Sequence, residues 1–168
     1  MKAKPIVRLY CDGACSGNPG FGGWSCVHYD ATDNTIYGAW MASAEETTNN
    51  RMELSALIKA LELATTKYKD CSVLIYCDSA YVVNAFDEWI RSWSRNDWIT
   101  SSKEPVKNLD LIKQIYPYTI IEFPNYGVYK IKGHNNIIGN ELADAYASSN
   151  GAKLAKILKE NDITLAIE

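Results

Sequence analysis

The sequence predicts an α/β fold in which a mixed β-sheet is covered by helices. Three strand-like segments come first and are joined by turns, and helices and strands alternate after them. This alternation favours parallel strands in the later part, because strand–helix–strand units normally return the chain to the same sheet. The length of 168 residues fits one domain.

The first part of the chain predicts an antiparallel arrangement. Ile6–Cys11 alternates weakly between apolar and polar residues, which favours a strand, and the glycine-rich Gly13–Gly23 is expected to be a loop. Trp24–Tyr29 and Thr35–Met41 are two further strand-like runs. The residues between them, Asp30–Asn34, have turn composition, so the two runs are expected to form a hairpin.

The second part alternates helices with strands. The clearest helix runs from Arg51 to about Lys67, where apolar residues recur at helical spacing. Ser72–Cys77 is continuously apolar, as expected for a buried central strand. Thr119–Phe123 fits either a strand or a continued helix, and Asn140 is expected to cap the last helix. Helices are also predicted at Tyr81–Trp93, Asn108–Tyr116 before Pro117, and Glu141–Ser148, with a strand at Val128–Lys132 and a loop at Gly133–Gly139.

Charge and composition exclude several classes of protein. The chain has 17 Lys and Arg against 20 Asp and Glu, a net charge of −3. Such a chain does not bind nucleic acid simply by being basic. No apolar run approaches the roughly 20 residues of a membrane helix. The five cysteines include no CxxC pair, which disfavours structural zinc and indicates a reducing, cytoplasmic location.

Two aspartates stand where predicted strands end. Asp12 is the third residue of the motif Tyr-Cys-Asp-Gly, and Asp78 is the third residue of the similar motif Tyr-Cys-Asp-Ser. Ligands of open α/β sheets bind at strand ends, so a pair of carboxylates there points to a cation. Each aspartate taken singly also fits a turn or a helix cap. The repeated ending favours a shared site.

Three further residues are candidates for chemistry. Glu53 lies in the first turn of the long helix, where it also fits a partner of the helix dipole. Asp144 stands among apolar and small residues with no Lys or Arg within one turn, so a metal is its expected partner. His134 lies in a glycine-bounded loop, where core packing does not account for it. Templates for a P-loop, a dinucleotide loop and a serine nucleophile at Ser16 do not fit.

Taken in order, these motifs resemble type 1 ribonuclease H of the bacterial kind. The resemblance implies an RNase H-like three-layer fold, with a five-stranded mixed sheet, an antiparallel second strand and helices on both faces. It implies one catalytic domain over residues 1–150, with no added domain before the first strand. A tail over 151–168 contains an amphipathic stretch that fits a short helix. The matching segments are Asp12–Gly20, Thr47–Leu54, Cys77–Ser79, Trp89–Trp93, Pro105–Asp110, Gly133–His134 and Asn140–Asp144.

The implied activity is endonucleolytic hydrolysis of the RNA strand of an RNA/DNA hybrid, leaving 5′-phosphate and 3′-hydroxyl ends. Asp12, Glu53, Asp78 and Asp144 match the family's site for two Mg²⁺ ions, with Mn²⁺ as a substitute. His134 matches a histidine that assists proton transfer or product departure. A monomer is expected. Two alternatives are a module that binds hybrids or RNA without cutting, and an integrase-like or exonuclease-like relative of the same fold.

The resemblance also assigns substrate contacts. Cys15, Asn18 and Asn49 match contacts to the RNA strand, which a protein distinguishes by its 2′-hydroxyls. Thr48 matches a contact to a DNA phosphate, and Asn50 one to the minor groove, although Thr47–Asn50 also fits a plain helix cap. Trp89 matches a position that faces the DNA strand.

Residues 91–107 match the basic handle of the family. The segment holds four basic and two acidic residues, a net charge of +2, which is a weak basic patch. Ala80 is a second departure, because relatives often carry a longer polar side chain there. We expect weaker hybrid binding at physiological salt than in a lysine-rich relative.

Overall fold

The structure is a computed structural model that describes residues 3–166. Within these residues one sheet contains six strands, in the order β5-β4-β1-β2-β3-β6. The strands are β1 (Ile6–Gly17), β2 (Gly20–Asp30), β3 (Thr35–Thr47), β4 (Ser72–Cys77), β5 (Tyr126–Lys130) and β6 (Thr164–Leu165). The helices are α1 (Asn49–Thr65), α2 (Ala80–Asn84), α3 (Ile90–Arg95), α4 (Leu109–Thr119), α5 (Ile138–Ala147) and α6 (Gly151–Glu160).

The sheet is mixed, and β1 lies at its centre. It pairs antiparallel with β2 and parallel with β4, while β5 continues the parallel half and β3 the antiparallel half. The predicted mixed sheet with an antiparallel second strand is therefore confirmed. In the described part of the chain, no helix is long and apolar enough to cross a membrane.

The sixth strand, β6, is a difference from the five strands expected. It pairs parallel with the start of β3, where the Thr164 amide donates to the Asn34 carbonyl and the Ala166 amide to the Ile36 carbonyl. Only two residues form this strand, so no alternating pattern marks it in the sequence. The domain limits of 1–150 and 151–168 stay predictions, and residues 1, 2, 167 and 168 lie outside the described residues.

Helices cover both faces of the sheet, which gives three layers. On one face α1 packs on the central strands through Leu54, Leu57 and Leu61, all fully buried. On the other face Leu142 of α5 packs with Tyr10 and neighbouring residues in a second, smaller core. Side chains of α6 join this second core from its edge.

The glycine-rich segment forms strands and a tight turn instead of the expected long loop. β1 continues through Gly17, and β2 begins at Gly20. A Cβ added at Gly23 would lie 2.5 Å from the Ala147 carbonyl oxygen of α5. The glycines therefore allow helices to approach the sheet closely. A glycine-rich composition fits such a close approach and a loop equally well, so the sequence did not distinguish between them.

Other boundaries also differ. The helix expected at Tyr81–Trp93 contains a π-helical turn, Ala85–Trp89, between α2 and α3. Pro117 lies within α4, which ends at Thr119, so the segment after it is neither a strand nor a continued helix. Asn140 does not cap α5, because the helix begins two residues earlier and buries that side chain.

Candidate active site

Three carboxylates meet at one edge of the sheet. Oxygens of Asp12, Glu53 and Asp78 all lie within 4.8 Å of one another. β1 and β4 are parallel neighbours with Cys11 opposite Cys77, so the residues that follow these cysteines come to the same edge. Asp78 follows the end of β4 as expected, whereas Asp12 lies inside β1, which continues to Gly17, and the shared register still brings the two aspartates together.

Gly13 allows Glu53 to reach this edge. A Cβ at Gly13 would lie 2.4 Å from the Glu53 amide nitrogen and 2.6 Å from the Met52 carbonyl carbon. Only hydrogen fits at that distance, so the first turn of α1 can pack directly on β1. The close backbone approach brings the Glu53 carboxylate beside Asp12.

The three carboxylates are electrostatically unfavourable in the absence of a cation. Burial, reinforced by the charges of Asp78 and Asp144, raises the pKa of Asp12 to about 8. Burial and the charges of Asp12 and Asp78 raise the pKa of Glu53 to about 10. Burial also raises the pKa of Asp78, with the charge of Asp144 acting in the same direction. Each shift means that the charged form is disfavoured where it lies.

A buried oxygen of Glu53 adds to this conclusion. Its Oε2 atom is inaccessible to solvent and has no hydrogen-bond partner among residues 3–166. A buried acceptor without a partner costs free energy, about 1–3 kcal/mol in typical cases. A hard divalent cation among the three carboxylates would satisfy this oxygen and lower all three pKa values. The donor set therefore fits a divalent metal ion.

Asp144 lies beside this trio, on α5. Ser25 stands opposite Asp12 in the sheet, and its hydroxyl donates to the Ala143 carbonyl of α5 at 2.6 Å. The next residue, Asp144, is close enough to raise the pKa of Asp12 through both its charge and a side-chain hydrogen bond. Asp144 is not one of the three residues whose oxygens all lie within 4.8 Å of one another.

A lysine from the following helix binds Asp144. The Lys153 ammonium lies 2.5 Å from Asp144 Oδ2 and 2.8 Å from Glu141 Oε2. Asp144 therefore has a cation of the protein as one partner, and its role as a metal ligand stays a prediction. The search for a cation within one helical turn missed Lys153, because tertiary packing brings it from α6.

His134 lies at the rim of the trio. It is exposed, has a left-handed backbone conformation with φ 55°, and belongs to the loop between β5 and α5. The nearby His134 imidazole acts to lower the pKa of Asp78, against the larger effect of burial. A Cβ at the preceding Gly133 would lie 3.0 Å from Asp78 Oδ2. The loop therefore passes directly over the Asp78 side of the cluster.

The residues predicted to contact the RNA strand lie in β1, in the β1–β2 turn and at the start of α1, which hydrogen bonds join together. The Asn49 amide donates to Asn18 Oδ1 at 3.2 Å, which joins the β1–β2 turn to the start of α1. Thr48 caps α1 by accepting from the Arg51 amide at 3.2 Å, so the cap interpretation of this residue holds. The Cys15 thiol donates to the Thr47 carbonyl. Asn49 and Asn50 are exposed in the first turn.

Trp89 lies in a separate aromatic group. Its ring centroid is 6.1 Å from that of Tyr81 and 6.0 Å from that of Trp93. Trp89, Trp93 and Trp98 are all partly buried against the main core. Packing therefore accounts for much of their surface, and the remaining face of Trp89 is open to solvent.

The weak basic patch of residues 91–107 has few free charges. The Arg91 guanidinium donates to the carbonyls of Asp87 and Thr119, so part of its donor capacity serves packing. Arg95, Lys103 and Lys107 are exposed. The handle therefore offers about three cations to a nucleic-acid backbone.

Sequence reasoning missed Glu141 as well as Lys153. Glu141 precedes Asp144 by three residues, which places both on one face of α5, and this spacing was a usable signal. No comparable signal marks Lys153, because nothing local in the sequence relates α6 to α5.

Comparisons with known proteins agree with this geometry. The family model of RNase H matches residues 4–152. The chain is 43% identical to "Ribonuclease H" of Francisella tularensis subsp. novicida, over 92% of this chain and 96% of the relative. It is 42% identical to "Ribonuclease H" of Orientia tsutsugamushi, over 94% of this chain and 89% of the relative.

Solved structures show the same fold. LC9-RNase H1, a type 1 RNase H with the type 2 active-site motif, has a TM-score of 0.70 at 22% identity over 98% of this chain and 88% of that one. LC11-RNase H1 in complex with an RNA/DNA hybrid has a TM-score of 0.59 at 28% identity, over 84% of this chain and 93% of that one. The chain belongs to the RNase H family.

Proposed function

We propose that this protein is an endonuclease that hydrolyses the RNA strand of RNA/DNA hybrids and depends on a divalent metal. The observation that carries the proposal is the trio of Asp12, Glu53 and Asp78, in which a buried carboxylate oxygen has no partner among the described residues. Family membership supports the reaction, and the hybrid bound to LC11-RNase H1 supports the substrate.

The proposed metal is Mg²⁺, two ions per site, with Mn²⁺ as a substitute. Asp12, Glu53 and Asp78 would hold one ion, and Asp12 with Asp144 the other. Carboxylate oxygens are the ligands that Mg²⁺ prefers. The chemistry that such a pair supplies is activation of the attacking water and stabilisation of the leaving oxygen in an in-line displacement. The products are a 5′-phosphate and a 3′-hydroxyl.

The residues of the chain have distinct tasks in this scheme. The depth of Asp12, only 5% exposed, suits the central ligand that orients the others. His134 stands on the exposed side of Asp78, where its imidazole can move a proton to or from solvent and assist product departure. Its position in a loop suits a residue that moves towards the cluster and away from it during the reaction.

The surface beside Glu53 would bind the hybrid. Cys15, Asn18 and Asn49 would contact the RNA strand, where 2′-hydroxyls distinguish RNA from DNA. The exposed start of α1 carries the positive end of the helix dipole, which favours phosphate. In this scheme Thr48 binds a DNA phosphate and Asn50 reaches the minor groove, while the open face of Trp89 lies against the DNA strand. The few exposed cations of residues 91–107 predict weak hybrid binding at physiological salt.

We also propose that the protein is a cytoplasmic monomer. All five cysteines are free thiols, including the buried Cys11, Cys26 and Cys77, which fits a reducing compartment. Sedimentation velocity with and without Mg²⁺ tests the oligomeric state, and a dimer under both conditions would contradict it.

The function is tested by cleavage of labelled substrates. The protein is incubated with an RNA/DNA hybrid, double-stranded RNA or double-stranded DNA, each with Mg²⁺, Mn²⁺ or EDTA. We expect the RNA strand of the hybrid to be cut only in the presence of metal. Binding of the hybrid without cutting would support a binding module instead, and equal cutting of double-stranded DNA would contradict the proposed substrate.

A further inference from the structure

Lys153 bridges two carboxylates at the Asp144 side of the site. Its ammonium lies 2.5 Å from Asp144 Oδ2 and 2.8 Å from Glu141 Oε2. The side chains of Lys153, Glu141 and Asp144 are 27%, 23% and 32% exposed, so the ion triad is partly buried but reachable from solvent. An ion triad of this kind is stronger than an exposed surface pair.

The backbone of Lys153 is fixed by the start of α6. Asn150 caps this helix, and its Oδ1 accepts a hydrogen bond from the Lys153 amide at 3.0 Å. The next residue, Leu154, and Ile157 and Leu158 one turn onward pack against the second core beside α5. The ammonium group is therefore presented to Asp144 by a docked helix, unlike a lysine on a free surface.

The chain after α6 is also attached to the sheet. The Asn34 side-chain amide donates to the Asn161 carbonyl at 2.7 Å and to the Asp162 carbonyl at 3.1 Å. β6 then pairs with β3. Residues 151–166 thus connect the edge of the sheet to the carboxylate cluster through one short helix.

We propose that Lys153 is a positioning residue that holds Asp144 and Glu141 and weakens the binding of a divalent cation on the Asp144 side of the site. This inference rests on the proposed function, because it assumes that the cluster binds metal. An oxygen that already accepts from an ammonium group is a poorer ligand, and the positive charge repels an incoming cation. The cation must share Asp144 or displace Lys153.

On the side of Asp12, Glu53 and Asp78, no ammonium group occupies a carboxylate in the way that Lys153 occupies Asp144 in the described chain. Among residues 3–166, no lysine or arginine forms a salt bridge with Asp12, Glu53 or Asp78. Asp144 acts electrostatically on both Asp12 and Asp78, while Lys130 and His134 act on Asp78 without a salt bridge to it. A first cation is therefore expected at the trio, and a second, weaker one at Asp144, with the difference between them set in part by Lys153.

Mg²⁺ titration of the substrate-free protein by NMR tests the inference at each side separately. The amide signal of Ala145 reports on the Asp144 side, and that of Ser79 reports on the trio. Lys153→Met and Lys153→Gln remove the charge, and Lys153→Arg keeps it. Lys156→Met is the matched control, because Lys156 lies on the same helix, is 72% exposed and reaches only Glu160 at 4.0 Å.

We expect the two uncharged variants to lower the Mg²⁺ midpoint at Ala145 about tenfold. The midpoint at Ser79 should stay within about twofold, and Lys153→Arg and Lys156→Met should match the parent protein at both signals. An unchanged or raised midpoint at Ala145 in both uncharged variants, with dispersed spectra that show folded protein, would overturn the inference.

Measurements on the parent protein show separately if the proposed function itself fails. If the parent protein gives no Mg²⁺-dependent shift at Ser79 and does not cut the hybrid, the proposed function itself fails. If it binds and cuts normally while the uncharged variants titrate like the parent at Ala145, only the role of Lys153 is wrong.

Discussion

Asp12 is buried within β1 and Glu53 is half-buried beside it on α1, and neither forms a salt bridge to lysine or arginine in the described chain, whereas Asp144 on α5 holds Lys153. On the first side, burial and mutual repulsion raise the pKa values of the carboxyl groups. On the second side, a cation of the protein itself compensates the charge. The difference indicates that the trio is built for a foreign cation, while the Asp144 side is already partly neutralised.

Removal of a central ligand should have the largest effect. Asp12→Asn keeps the shape of the buried side chain but removes a charged ligand, so we expect hybrid cleavage to fall by about a thousandfold or more. Single-turnover cleavage in Mg²⁺ measures this effect. Asp70→Asn, at an exposed aspartate just before β4, is the control and should leave the rate unchanged. Comparable rates for the two variants would contradict the assignment of the trio.

A methyl group at Gly13 should break the geometry of the buried side without touching a ligand. The added Cβ meets backbone atoms of Met52 and Glu53 at under 3 Å, so α1 must move away from β1. We expect Gly13→Ala to reduce the free energy of unfolding by about 2 kcal/mol and to reduce cleavage as Glu53 shifts. Urea unfolding measures the first effect. Full stability would show that the close approach of α1 to β1 is dispensable.

His134 should matter for rate more than for structure. His134→Ala removes an exposed loop side chain, so the stability should be unchanged while kcat falls by about ten- to a hundredfold. A pH–rate profile checks the role, because the profile of kcat in the variant should differ from that of the parent protein. The same profile for both proteins would exclude proton transfer by this residue.

The buried side should also control the pH dependence of the metal-free protein. A carboxyl group whose pKa is raised on folding stabilises the protein at low pH, and this contribution is lost as the pH rises through the raised values, about 8 for Asp12 and about 10 for Glu53. We expect the free energy of unfolding in EDTA to fall between about pH 5 and pH 9. Asp12→Asn should be more stable than the parent protein at pH 8, by about 1 kcal/mol or more. A stability that rises over this range in EDTA would contradict the pKa shifts.

The smallest effect concerns the segment that carries Lys153. Asn34→Ala removes two hydrogen bonds to the carbonyls of Asn161 and Asp162 and a third from the Tyr29 hydroxyl, and we expect the free energy of unfolding to fall by about 1 kcal/mol or more. Amide hydrogen exchange should show faster exchange of Thr164 and Ala166, and little change in β1. Protection of β6 that is equal to that of the parent would show that this contact is not what holds the segment.

The sequence predicted those parts of the fold that depend on local patterns. The apolar run of β4 and the helical periodicity of α1 each mark one element, and the order of elements implies a mixed sheet. The repeated Tyr-Cys-Asp after two apolar runs also predicts that Asp12 and Asp78 meet, because the runs form parallel neighbours in register, although β1 continues beyond Asp12. The order and direction of the strands are therefore enough to predict that Asp12 and Asp78 lie together.

Features that depend on tertiary packing could not be predicted in this way. β6 has two residues and exists because α6 docks beside β3. Lys153 reaches Asp144 from another helix, so a search within one turn had no means of finding it. The glycines of β1 and β2 appeared as a loop because their role is to admit α1 and α5, which only the packed structure shows.

Anomalous diffraction from crystals of the protein soaked in Mn²⁺ tests the central claim most directly, since it locates a bound divalent metal without reference to activity. We predict a strong peak among the carboxylates of Asp12, Glu53 and Asp78, with any second peak weaker and adjacent to Asp144. Crystals of Asp12→Asn should lose the strong peak under the same conditions. A parent protein without a peak at the trio, or with its strongest peak at Asp144 and Glu141, would contradict the account.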